Sequence, residues 1–356
     1  MGGKALNRKR YIYIDYLKVL GLLLVILAHV NCPSPLMQVR SFDVPLLVFV
    51  SGFLASKSYS GHNAKGYYWK RIKRLVFPAW IFLTFFFFVQ SIAYTKPSFT
   101  DVIKGFTFQR DSQMVGMLWV IWVYLVCALI VPIIKKIGFR EHSLIFVFAL
   151  LFVYEMLCAV TNLSEIRFLY ITLFTIVPWG CVTYIGFYYD LMTKTQKRWL
   201  LMVFAILFCM GACFLRMKYG HFVPTNDFKY PARLYYLSYA FTIVLILMPK
   251  LQNMKLRENR VISFVSKSSL WIYLWHILIL YVVKSLIEND NLWLVQYVAI
   301  VVLSVVVTLI QNLIVNKMLS KYPIDFLKVF FYCHCGFLFY SDNIIDRIIF
   351  PLNFIF

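Results

Sequence analysis

One lysine and one histidine in the first apolar segment are the residues of this sequence whose spacing could support chemistry. Lys18 and His29 lie eleven positions apart in an otherwise almost uncharged run. At about 100° per residue this spacing is about three helical turns, so both side chains share one helix face, about 16 Å apart. If the run crosses a membrane, ionisable groups in it are costly and mark candidate functional sites. Asp15 is close enough in sequence to pair with Lys18.

Two interpretations of His29 are open. It is either a polar residue satisfied inside a helix bundle or a functional group, and its alignment with Lys18 supports the second. Glu155, in the outer half of the fifth apolar segment, could orient the imidazole or could make a structural hydrogen bond. His276, which stands among tryptophans, is predicted to pack and hydrogen-bond between helices.

A cluster of cations precedes the third apolar segment. It consists of Lys70, Arg71, Lys73 and Arg74. Such clusters bind anionic lipid headgroups, and they could also bind the phosphates of a nucleotide-bearing cofactor, for which the planar guanidinium of arginine is suited. Both interpretations are open from charge alone.

The most polar and aromatic of the outer loops follows the seventh apolar segment. Its candidate substrate-binding residues are Lys229, Tyr230, Arg233 and Tyr235. Aromatic faces with nearby hydrogen-bonding groups suit sugar rings, whereas an aromatic belt at the membrane interface is the structural alternative.

These residues need membrane helices to position them. The chain has 356 residues, of which 62% are hydrophobic and 14% charged, against about 45–50% and about 25% in soluble domains. Apolar runs long enough to cross a bilayer recur throughout, so we predict an all-α polytopic membrane protein of about ten spans. The predicted spans are 13–32, 42–56, 75–94, 117–134, 143–160, 168–188, 198–216, 233–250, 269–287 and 293–316.

The net charge of +21 does not indicate a nucleic-acid partner, because no segment between the spans is long enough to form a basic water-exposed module. The charge fits short basic loops that face anionic lipids. Alternate loops, beginning with the N-terminus, hold the larger share of lysine and arginine, which predicts a cytoplasmic N-terminus.

The domain organisation is simple. We predict a basic cytoplasmic segment at 1–12, one membrane domain at 13–320 and an aromatic-rich tail of no assigned function at 321–356. The eight cysteines are scattered, and no metal site is predicted, because the close pair Cys333 and Cys335 lacks a second pair.

Several ordered motifs resemble the membrane acyltransferase-3 family. They are Asp15 and Lys18 to His29, Phe42-x-x-Pro45 leading to Ser51-Gly52-Phe53-Leu54, Arg71-x-x-Arg74 before Pro78, Leu118-Trp119, and Ser268 through His276. The resemblance covers about residues 13–315. Where many relatives have an arginine before the histidine of the first helix, this chain has Lys18, which keeps the charge but loses the bidentate fork.

The resemblance implies an enzyme of a bacterial cell membrane that transfers an acyl group, usually acetyl, from cytoplasmic acyl-CoA to a hydroxyl of a cell-surface or lipid-linked glycan. His29 would then be the catalytic base or acyl carrier, with Lys18 and Glu155 as further catalytic candidates. Arg71, Arg74 and Lys18 would bind acyl-CoA.

Two other classes of function were considered. A transporter or flippase of a glycan or lipid intermediate is the main alternative, but its usual paired broken helices and chains of charge are not evident. A membrane sensor has no attached signalling domain to support it. The oligomeric state is not predicted.

Overall fold

The computed structural model describes residues 11–93, 96–160 and 173–321. These residues form helices and no strands, which confirms the predicted all-α fold. In chain order the helices are α1 (Ile12–Leu27), α2 (Ser34–Val39), α3 (Asp43–Ser58), α4 (Ala64–Ala93), α5 (Phe99–Phe106), α6 (Trp119–Ile137), α7 (Ser143–Val160), α8 (Leu173–Tyr188), α9 (Lys194–Tyr219), α10 (Leu234–Asn253), α11 (Arg260–Lys267), α12 (Ser269–Leu286) and α13 (Trp293–Lys321). Most of the predicted N-terminal segment 1–12 and of the predicted tail 321–356 lies outside the described residues; only residues 11, 12 and 321 are included.

Eight helical segments in the described part of the chain are long and apolar enough to cross a membrane. They correspond to eight of the predicted spans. The other two predictions fall on α1 and α8, helices of 16 residues each. The residues just before α8 are outside the description, so the beginning of that predicted span is not seen.

The second predicted span is longer than the sequence indicated. The short helix α2 and a 3-10 turn, Arg40–Phe42, lead directly into α3. Together they give a helical segment of 25 residues, Ser34–Ser58, rather than the roughly 15 expected. The added part carries polar side chains, which is why an apolar run alone did not reveal it.

Helix α3 lies at the centre of the bundle, because its side chains are apolar on every face. Leu46, Val48 and Phe49 have no exposed surface. The Ser-Gly pair lets α3 approach α8 closely: a Cβ atom at Gly52 would lie 2.5 Å from the carbonyl oxygen of Thr183. A Cβ at Gly186 would lie even nearer to the carbonyl oxygen of Phe49. Small residues therefore permit close helix packing at this crossing.

Helix α9 shows how a peripheral helix is specified. A capping box of Thr193 and Gln196 begins it, and Gly220, with a φ of 77°, ends it in the left-handed conformation. Its apolar residues at every fourth position remain exposed: Met202, Ile206, Met210 and Phe214. Such a face is suited to lipid, in agreement with a multi-pass membrane protein.

Candidate active site and its two cavities

A cavity of about 490 Å³ is lined by residues of α1, α3, α4, α6, α8 and α12. Four cations line it, namely Lys18, Lys57, Arg71 and Arg74, and we call it the basic cavity. Three of the four are the residues predicted to bind acyl-CoA, so the fold brings that predicted set together. Lys70 and Lys73 of the same cluster do not line the cavity.

The cations of the basic cavity are held by their neighbours. The guanidinium of Arg71 lies 5.0 Å from the centre of the Tyr67 ring. Lys57 pairs with Asp190 at the end of α8 and lies over the Phe53 ring at 5.3 Å. The sequence did not single out Lys57 as a ligand-binding residue, because nothing in its local sequence separates it from an ordinary lysine at a helix end.

Lys18 is anchored to α11 rather than to α1 alone. Its ammonium donates hydrogen bonds to the carbonyl oxygen of Ser266 and, at 3.1 Å, to its Oγ. The Ser266 hydroxyl donates in turn to Asp15 Oδ1 at 2.5 Å. A serine that is distant in sequence thus connects Asp15 and Lys18, and it holds the cation at the wall of the cavity.

Two histidines meet beyond one wall of the basic cavity. Tyr273 lines the cavity, and its ring centre lies 5.0 Å from that of His276. The His276 ring lies 5.4 Å, centre to centre, from the ring of His29. His276 is fully buried, and its Nδ1 hydrogen-bonds to the carbonyl of Tyr273 in its own helix. The carbonyl only accepts, so Nδ1 carries a proton, and Nε2 has no hydrogen-bond partner among the described residues.

The helix that carries Lys18 ends before it reaches His29. Helix α1 stops at Leu27, and His29 lies in the following turn, with its N–H donating to the carbonyl of Ile26 at 3.0 Å. The predicted span 13–32 is therefore not α-helical at its outer end, while the placing of Lys18 and His29 on one face stays a prediction. The turn precedes Cys32 and Pro33, and proline disfavours a helical conformation at the residue before it.

Glu155 binds Arg233 and the backbone of α10, and the predicted role of orienting the His29 imidazole is not seen. Its carboxylate accepts from Arg233 Nη2 at 2.6 Å and Nε at 2.8 Å. It also accepts from the backbone N–H of Leu234 at 2.9 Å, at the start of α10. Both carboxylate oxygens therefore tie α7 to the N-terminus of α10, which is the structural alternative left open by the sequence.

The four predicted substrate-binding residues separate into two pairs. Lys229 and Tyr230 line a second cavity of about 340 Å³ at the beginning of α6 and α8, and we call it the far cavity. Its other walls are rich in aromatic side chains, including Trp119, Trp122 and Trp179. Arg233 instead pairs with Glu155, and Tyr235 donates to the carbonyl of Val223 at 3.1 Å, so neither lines this cavity.

A buried charge cluster lies behind the far cavity. Arg40 Nη1 lies 2.5 Å from Asp43 Oδ2, and Lys229 Nζ lies 3.6 Å from Asp43 Oδ1. These side chains are 3%, 1% and 6% exposed, respectively. Burial lowers the pKa of Lys229 below its usual value, and Asp43 opposes this.

Sequence reasoning assigned no role to Arg40 or Asp43. The signal present was a pair of opposite charges immediately before the apolar run that begins at Val44. Its meaning depends on Lys229, which is far away along the chain. No group of three or more histidine, cysteine or acidic residues able to hold a metal is found in the described part of the chain.

The fold and this arrangement define an all-helical, multi-pass membrane protein with a basic cavity at one end of the bundle and a histidine pair deeper in it. A family model described as an acyltransferase domain matches residues 11–312, which is most of the chain. The protein therefore belongs to the acyltransferase-3 family and is a membrane acyltransferase. No curated protein and no solved structure matches the sequence.

Proposed function

We propose that the protein transfers an acyl group, acetyl in the simplest case, from acyl-CoA to a hydroxyl of a cell-surface or lipid-linked glycan. The observation that carries the proposal is the clustering of Lys18, Arg71 and Arg74 in one cavity whose wall leads through aromatic rings to His29. A nucleotide phosphate needs such cations, while the remaining walls of the cavity are largely apolar and suit a long cofactor arm.

The proposed orientation places the basic cavity on the cytoplasmic side and the far cavity on the outer side. It is supported by the excess of lysine and arginine in those loops that lie on the same side of the membrane as the N-terminus. Acyl-CoA would then enter from the cytoplasm and the glycan from the opposite face. The histidines lie between these two entrances.

In the proposed reaction His29 acts as a general base. It takes the proton of the acceptor hydroxyl as the oxygen attacks the thioester carbonyl carbon, the carbon–sulfur bond breaks, and the proton passes to the departing CoA thiolate. The ester and free CoA account for all the atoms. The alternative order forms an acyl-His29 first and then transfers the acyl group to the hydroxyl. The contact with His276 fixes the position of the His29 ring in either order.

Cofactor binding provides one test. Replacing both Arg71 and Arg74 with glutamine should weaken acyl-CoA binding at least tenfold, because charge-assisted phosphate contacts are lost. The matched control is the Lys70→Gln, Lys73→Gln double variant, which removes the same charge from side chains that do not line the cavity. Equal acyl-CoA affinity of the purified wild type and the R71Q/R74Q protein would indicate that the cation cluster binds lipid headgroups instead.

The acceptor provides a second test, by mass spectrometry of cell-surface glycans with and without the protein. We expect one acyl modification to disappear when the gene is removed and to return with the wild type but not with His29→Ala. An unchanged inventory of acyl groups would overturn the glycan acceptor. The transporter alternative is less favoured, because family membership supplies a transfer reaction.

A further inference from the structure

The buried charge cluster behind the far cavity contains two cations and one carboxylate, so it has an excess of one positive charge. Arg40 and Lys229 share a single carboxylate, Asp43, and no other acidic group pairs with either of them in the described part of the chain. All three side chains are almost fully removed from solvent. An uncompensated buried charge is costly, and the cost is greater where the surroundings are apolar.

The excess charge falls on Lys229 rather than on Arg40. Arg40 contacts Asp43 at 2.5 Å and also faces the amide oxygen of Asn226 at 3.5 Å, so its guanidinium is well satisfied. Lys229 is more distant from the same carboxylate, at 3.6 Å. Its ammonium also lies 5.6 Å from the Trp119 ring centre and 5.7 Å from that of Tyr230. Lysine has three donors to satisfy, and this environment offers few acceptors.

Lys229 is also part of the wall of the far cavity, so a ligand there can reach it. Arg110 belongs to the same wall, with its guanidinium 4.5 Å from the Tyr230 ring centre. Asp111, the acidic residue of the wall, pairs with Lys104 at 2.9 Å. The wall of the far cavity thus carries two cations and one carboxylate, and the carboxylate pairs with a lysine outside the wall. Between them stand aromatic faces, against which the apolar side of a sugar ring can pack.

We infer that the far cavity binds an acceptor saccharide bearing a negative charge, as a carboxylate or a phosphate, and that Lys229 contacts this charge. The inference deepens the proposed function and rests on it. The ligand's anion completes the charge balance that Asp43 leaves open, so the cost of burying Lys229 is recovered when the acceptor binds. A neutral saccharide would leave the ammonium without that partner, which disfavours it as an acceptor.

The distinguishing measurement is the binding of two matched saccharides to the full-length protein in nanodiscs of neutral phosphatidylcholine. The probes are hyaluronan tetrasaccharide, which carries carboxylates, and its carboxyl-reduced neutral counterpart, compared by calorimetry. We expect the acidic probe to bind at least tenfold more tightly, as charge-assisted hydrogen bonds provide. Inorganic pyrophosphate, added as a competitor, distinguishes a phosphate as the preferred anion from a carboxylate.

The variant that isolates the effect is Lys229→Gln, with Lys218→Gln as its control. Lys218 is an exposed lysine of the same outer region that does not line the cavity. The preference for the charged probe should vanish in K229Q and persist in K218Q. K229Q leaves Arg40 and Asp43 as a balanced pair, so its melting temperature should equal or exceed that of the wild type.

Several outcomes would overturn the inference. The first is equal affinity for the two tetrasaccharides together with pyrophosphate binding that is the same in K229Q as in the wild type. The second is a preference that survives in K229Q. The third is loss of the preference when phosphatidylglycerol replaces phosphatidylcholine, which would identify a lipid headgroup as the occupant. Binding of acyl-CoA, measured on the same samples, tests the proposed function separately. If acyl-CoA did not bind, the proposed function would be wrong, but the difference in affinity between the two saccharides would still measure the charge preference of the far cavity.

Discussion

At the residue scale, the main feature is that the ring of His29 packs against that of His276, while Glu155 accepts from Arg233 and the backbone N–H of Leu234 instead. Its neighbour His276 has one nitrogen committed to the carbonyl of Tyr273, so that ring is fixed in orientation. A fixed ring beside His29 limits the positions that the His29 imidazole can take, as a catalytic group requires.

We expect His29→Ala to reduce turnover by about 10²–10⁴, because the loss of general-base assistance alone has this effect. Acyl-CoA affinity should stay within about twofold of the wild type, because Lys18, Arg71 and Arg74 are untouched. His221→Ala, at an exposed loop histidine, is the control. Rates must be normalised to folded, membrane-inserted protein. Near-normal turnover of H29A would show that the catalytic assignment is wrong.

His276→Ala separates a structural from a catalytic contribution at the same place. The sequence predicts a structural residue, and the ring is fully buried, so its removal leaves a cavity and should lower the melting temperature. Turnover per folded molecule should fall much less than in H29A. A loss of rate equal to that of H29A, with no loss of stability, would assign His276 a direct role in the reaction.

At the scale of elements, two contacts hold the helices that surround the site. One is the contact of Glu155 with Arg233 and the start of α10, and the other is the close crossing of α3 and α8 at Gly52 and Gly186. Neither contact touches the proposed acyl-CoA ligands. Both should therefore affect stability more than chemistry.

Glu155→Gln should lower the melting temperature while turnover per folded protein stays near that of the wild type. The variant loses the charge-assisted bonds to Arg233, and breaking one partner of a largely buried ion pair typically costs a few kcal/mol. In a double-mutant cycle with Arg233→Gln the two losses should not add, because both variants break the same contact. Additive losses would contradict the pairing.

Gly186→Ala should separate α3 from α8 and destabilise the bundle, because its Cβ would collide with the backbone carbonyl of Phe49. Gly180→Ala in the same helix is the matched control, since its Cβ would meet only Ile130 Cδ1, at 3.4 Å. Thermal unfolding in detergent should show a lower melting temperature for G186A alone. Equal melting of the two variants would contradict the close crossing.

At the scale of the whole molecule, α6 and α8 contribute residues to both cavities: the far cavity lies at the beginning of both helices, and the basic cavity extends along α6 as far as Val131. Trp119 and Trp122 of α6 face the far cavity, and Tyr124 and Cys127 of the same helix face the basic cavity. This arrangement suits a reaction whose two substrates come from opposite sides of a membrane. The proposal therefore requires a particular orientation of the chain in the membrane, which can be measured.

Reporter fusions test that orientation. Reporters placed after Arg140 and after Lys267 should be cytoplasmic, and one in the loop at Asn226 should be external, because the basic loops stay inside. Protease protection of sealed vesicles gives an independent measurement. An internal Asn226 reporter would overturn the ten-span arrangement and the proposed entry side of the acceptor.

The membrane class, most of the helices and the family motifs follow from the amino-acid sequence alone. Long apolar runs leave little choice of structure, because every backbone polar group must be satisfied inside the bilayer. Lys18, Arg71 and Arg74 were also found as one predicted set, since costly charges next to or within such runs are conspicuous in sequence.

Which polar residues meet depends on how the helices pack in three dimensions, and the sequence does not reveal it. Ser266 joins Lys18, Arg233 takes up Glu155, and Lys229 reaches the pair of Arg40 and Asp43. The end of α1 before His29 and the helical lead into α3 were equally hidden, because local turns and polar residues interrupt the apolar pattern. Helical periodicity fixes which residues share a face, but the partner of a buried charge is chosen by packing between helices that are distant along the chain.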